Sequence, residues 1–152
     1  MTEDKRMTKE ELKQKLKGAM YAQRTLEGEL DKLQELRSLA QKITPVYSQA
    51  PGGSGSGKAL ENSVAKIVEQ ERVVASCCDE LCEQLAEVRA LVALLPVGPM
   101  RLVMQRRYLN YCKWEQIAME LDYTWQHVHR LHGRALEFML KDVIECEGQP
   151  VL

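Results

Sequence analysis

Aromatic residues make up only 5% of this 152-residue chain, and Phe138 is its single phenylalanine. A large core packed around aromatic rings is therefore not expected. No apolar run approaches the ~20 residues of a membrane-spanning helix, and the charged start MTEDKRMTKEELKQK has no apolar stretch behind it. That argues against a secretory signal and against membrane contact. Net charge is −1, so no basic field surrounds the whole molecule. The cysteines Cys77, Cys78, Cys82, Cys112 and Cys146 are odd in number and irregular in spacing, which does not make a disulfide framework. A reducing, cytoplasmic compartment in a bacterial host is expected.

What is present favours helix. The charged fraction is 28%, with Leu, Glu, Lys, Gln and Ala abundant, and an all-α fold is expected. Thr8 with Glu11 three residues later reads as a capping box. A helix follows to about Ile43, with an apolar stripe through Leu12, Leu16, Ala19, Leu26, Leu30, Leu33, Leu36 and Ala40. Thr44–Pro45 is expected to stop it, because proline disfavours helix in the residue before it. Residues 45–57, PVYSQAPGGSGSG, read as a flexible loop.

A second helix starts near Lys58, and its seam runs Leu60, Val64, Ile67, Glu71, Val74, Cys78, Leu81, Leu85, Val88, Val92 and Leu95. Every step is three or four residues, a coiled-coil pattern. Such a seam needs a partner. The first helix supplies one in an antiparallel coiled-coil hairpin over 8–95, and a second copy of the chain, giving a homodimer, is the other candidate.

Pro96, Gly98 and Pro99 close this segment, and a helical domain is expected over 100–144 with a frayed tail at 145–152. Residues 101–141 hold 7 Lys/Arg against 4 Asp/Glu and all three histidines, whereas 1–95 hold 14 against 15. The basic excess therefore sits where phosphate contacts would need it.

Within this domain, Trp114 to Leu136 reads as two helices joined by a tight turn. Ile117, Ala118 and Leu121 form the inner face of the first helix. Asp122 and Tyr123 make the turn, and Thr124 caps the second helix. Val128, Leu131, Ala135 and Leu136 point inward. Trp125, Gln126, His129 and Arg130 are left on the outer face near the helix start, the part that enters the DNA major groove in helix-turn-helix proteins. Arginine can pair with guanine and glutamine with adenine; histidine can bond a base edge, and tryptophan can pack on a thymine methyl. Arg106, Arg107, Lys113, Thr124 and Arg134 are the phosphate-contact candidates.

Two other signals are weaker. Gly52 to Lys58, GGSGSGK, matches part of a phosphate-binding loop, but Ala59 stands where a magnesium-holding Ser or Thr is required and no strand precedes it. His127, His129 and His132 share a helix but find no Cys or acidic partner nearby in sequence for zinc. No cofactor, metal or catalytic constellation is expected, and the chain does not read as an enzyme.

The run Glu115, Ile117, Ala118, Thr124, Val128, Arg134, Ala135, Leu136 resembles region 4 of bacterial sigma factors. That resemblance implies a second helix that reads a promoter element through Trp125, Gln126, His129 and Arg130. Trp125 departs from the arginine usual in sigma factors, so the same promoter consensus is not implied. With ITPVYSQAPGGSGSG, RRYLNYCKWEQIAMELDYT and HVHRLHGRAL, the whole chain resembles small phage and prophage proteins of Gram-positive bacteria. These join a coiled-coil hairpin to a sigma-region-4-like module, which implies a double-stranded-DNA-binding transcriptional regulator. Residues 1–95 carry only Tyr21 and Tyr47 as aromatics to open a promoter, so a self-sufficient sigma factor is not expected. A DNA-packaging protein resembling a small terminase subunit is one alternative. An interaction protein that binds host RNA polymerase or another regulator through its coiled coil is the other.

Overall fold

The computed structural model describes residues 6–49 and 54–147. All five described elements are helices: α1 (Lys9–Gln49), α2 (Ser54–Ala93), α3 (Pro99–Tyr108), α4 (Trp114–Leu121) and α5 (Trp125–Glu147). Helices α1 and α2 form the expected hairpin, and the three shorter helices follow it. No described helix is long and apolar enough to cross a membrane.

Helix α1 opens on the capping box. The Thr8 N–H donates to Glu11 Oε2 at 2.9 Å, and the Glu11 N–H donates to Thr8 Oγ1 at 3.2 Å. Its end differs from expectation, because the helix runs through Pro45 to Gln49. Near a helix C-terminus, the one backbone bond that proline removes matters less than it would in the middle. Likewise α2 takes in Ser54 to Gly57, whose N–H groups, in a first turn, have no intrahelical acceptor in any case. Of the expected loop, residues 50–53 lie outside the described residues, as do 148–152 of the expected tail.

The chain forms two compact units, residues 1–21 with 83–152 and residues 22–82. In the first, one core joins Leu12, Leu16 and Ala19 of α1, Val88 and Val92 of α2, and Leu95 beyond it, to Met104, Tyr108, Ala135, Leu136 and Met139. Buried packing thus crosses the Pro96–Pro99 boundary that composition suggests. Gly18 permits close approach here, because a Cβ at that position would collide with the Gln84 side chain.

In the second unit the two helices meet along Leu26, Glu29, Leu33, Leu36 and Ala40 of α1, and Leu60, Ser63, Ile67, Gln70, Val74, Cys77 and Leu81 of α2, all wholly or partly buried. The Gln70 amide donates to the Glu29 backbone oxygen at 2.9 Å and to Glu29 Oε2 at 2.6 Å. This corrects the expected seam at alternate positions. Leu60, Ile67, Val74, Leu81 and Val88 face the hairpin and Leu85 is half-buried, but Val64 is 49% exposed and Leu30 44%. A heptad offers two ways to complete each repeat, at i+3 or i+4. The apolar i+4 residues attract a reading by hydrophobicity, yet the helices turn the i+3 set inward, where Gln70 and Glu29 satisfy each other.

Candidate nucleic-acid interface

The turn between α4 and α5 is built from backbone chemistry. Asp122 adopts a left-handed conformation with φ 55° and ψ 42°. Its N–H donates to the Met119 carbonyl at 3.3 Å, and the Tyr123 N–H donates to the Ala118 carbonyl at 3.0 Å. These two bonds form a Schellman motif, which satisfies the last carbonyls of α4. Two residues on, Thr124 Oγ1 accepts the His127 N–H at 3.1 Å and caps α5. Both turn roles expected of Asp122 and Thr124 are therefore filled.

Below the turn, Val103, Cys112, Ile117, Val128 and Leu131 make a second buried cluster, with Trp114, Ala118, Leu121 and Tyr123 packed on it. This cluster fixes the rotation of α5 and leaves Trp125, Gln126 and Arg130 exposed, Trp125 at 54%. The first turn of α5 contains no acid. Its free N–H groups and dipole end favour an anion such as a phosphate.

His129 is placed differently from its expected partners in base reading. It is half-buried, and its ring lies 3.9 Å from Trp125 and 4.6 Å from Trp114, centroid to centroid. Its Nε2 is buried and has no hydrogen-bond partner. His129 thus spends its ring on supporting Trp125. His132 stands edge-on to Trp114 at 4.8 Å, and its Nε2 is 2.6 Å from the Tyr108 hydroxyl. Burial first, and then nearby positive charge led by Lys13, pushes His132 down to about 4. Burial pushes the Tyr108 phenol up to about 12, against the nearby charge of Arg107. Both groups are neutral at pH 7 and share one proton-mediated bond. His127 packs edge-on to Tyr123 at 4.8 Å.

The phosphate candidates also divide. Lys113 and Arg134 are exposed. Arg106 lies 3.8 Å from Glu120 in a half-exposed ion pair. Arg107 donates to the Cys112 carbonyl at 3.0 Å and sits 4.6 Å over the Trp114 ring, so it braces the α3–α4 connection. Thr124 has its hydroxyl in the cap. Acidic Glu115, Glu120 and Asp122 are exposed on and after α4, which confines a favourable potential to the α5 side.

Trp114 was not singled out by sequence reasoning, although it joins Arg107, His129 and His132. The readable signal was the spacing Trp125–His129, one helical turn apart and so on one face. Among the described residues, no group of three or more His, Cys, Asp or Glu side chains is placed to hold a metal ion. No protein-family model, no curated protein and no solved structure matches this chain.

Proposed function

We propose that this chain is a sequence-specific double-stranded-DNA-binding regulator of phage or prophage transcription, built around a sigma-region-4-like reader. The observation that carries the reading is the start of α5. A capped helix presents Trp125, Gln126 and Arg130 to solvent, with Trp125 stacked on His129 before any ligand arrives. Gln126 and Arg130 are one turn apart and carry the side-chain types that bond adenine and guanine edges. Trp125 supplies an apolar contact for a thymine methyl or a sugar. Lys113 and Arg134 are the phosphate contacts, with Arg106 available on release from Glu120.

The test begins with selection of bound sequences from a random duplex pool at fixed salt. A defined consensus is expected. Gln126→Ala with Arg130→Ala should then lose on the order of 10²-fold in affinity for that consensus, while binding to random duplex changes little. Failure to enrich any sequence, or an unchanged affinity in the double variant, would overturn the reading.

A further inference from the structure

Helix α2 carries a second heptad line that α1 does not cover. Val64, Val68, Glu71, Ala75, Cys78 and Cys82 follow one another at steps of 4, 3, 4, 3 and 4, and all six are exposed. This is the a/d spacing of a coiled-coil seam, displaced sideways from the seam that faces α1. Its one charged member, Glu71, is held by Arg37 at 3.1 Å from within the same chain. What remains is a row of Val, Ala and Cys side chains in water.

We propose that this outer seam binds a second copy of the chain, with the two α2 helices antiparallel across a twofold axis at Ala75. The charges beside the seam select that arrangement. Arg72 and Asp79 flank it on one edge, and both are exposed. About an axis at Ala75, Arg72 of one copy falls beside Asp79 of the other, and the pairing occurs twice, as an isologous interface requires. Ala75 meets Ala75 at the axis, where small side chains permit close approach. Val68 and Cys82, each one heptad from Ala75, face each other across the interface. A parallel pair would instead set Arg72 level with Arg72 and Asp79 level with Asp79. Arg72 also has Glu69 within 3.7 Å on its own helix, a fully solvated pair that leaves it free to turn. The inference stands apart from DNA binding, since none of its residues lies on α3, α4 or α5.

The full-length reduced protein should run by light scattering at twice its 17.4 kDa mass. Val68→Glu and Ala75→Glu should each give a monomer with unchanged helical circular dichroism. Arg72→Asp should weaken the dimer about tenfold by creating like-charge neighbours twice over, and adding Asp79→Arg should restore it. In Val68→Cys, mild oxidation should link the introduced thiol to Cys82 of the other copy, mapped by peptide mass spectrometry. A monomeric parent protein would overturn the proposal. So would Cys78–Cys78 and Cys82–Cys82 links as the main oxidation products, or a charge reversal that the second substitution does not rescue.

Discussion

The Trp125 and His129 rings lie 3.9 Å apart, one turn apart on the outer side of α5, and the far side of His129 is closed by Trp114 at 4.6 Å. An exposed tryptophan with two free torsions would lose rotamer freedom on binding. Here the loss is taken on folding. The half-buried histidine acts on the surface through the residue it holds.

His129→Ala should therefore weaken specific DNA binding about three- to tenfold by freeing Trp125, although His129 Nε2 reaches no base. Trp125→Ala should weaken it more. His129→Ala combined with Trp125→Ala should cost no more than Trp125→Ala alone. Titrations of the selected duplex at fixed salt check this, and additive losses would show that His129 contacts DNA in its own right.

The Tyr108–His132 bond predicts a pH dependence of folding. His132 holds a pKa of about 4 in the folded chain, against 6.5 for a free histidine. The depressed value means the unfolded chain binds the proton more readily. Stability is thus fully present above pH 6.5 and falls as pH drops through that value toward 4. Urea midpoints between pH 7 and pH 4 should decline, and His132→Gln should lower the midpoint at pH 7 while flattening the decline.

The α4–α5 turn gives a paired prediction. Thr124→Ala removes the acceptor for the His127 N–H and should cost about 1 kcal/mol, whereas Thr124→Ser should cost little. Asp122→Gly should be neutral or stabilising by up to about 1 kcal/mol, since the left-handed backbone already favours glycine. Asp122→Val should destabilise. Thermal midpoints of the four variants decide it. A loss in Asp122→Gly would mean that the carboxylate contributes more than the backbone conformation does.

These features were unequally legible in the sequence. The capping box, the turn at Asp122, the Thr124 cap and the inner residues Ile117, Val128 and Leu131 follow from local rules, and local bonds decide them. The roles of Arg107, Trp114 and His132 depend on α3, α4 and α5 meeting, which one-dimensional spacing does not encode. The seam of α2 lies between these cases. Leu60, Ile67 and Val74 repeat strictly by seven and were readable. The choice of Gln70 over Glu71 was not, because it depends on Glu29 of the other helix.

That choice gives a last prediction. Gln70 holds both a backbone oxygen and the carboxylate of Glu29, and its bond, ahead of Lys32, keeps Glu29 below the usual carboxylate range. Polar pairs in a coiled-coil seam fix register at a cost in stability. Gln70→Leu should therefore raise the thermal midpoint of the hairpin, because an apolar side chain fills a helix–helix position and the Glu29 carboxylate can turn to water and Lys32. The same change should loosen the alignment of α1 with α2. A disulfide between cysteines placed at Leu33 and Ile67, compared with one between Leu33 and Val74, should form selectively in the parent and less selectively with Gln70→Leu. A lower midpoint would mean that the Gln70–Glu29 bond outweighs apolar packing at this layer. Unchanged selectivity would mean that the leucine and valine layers set the register without it.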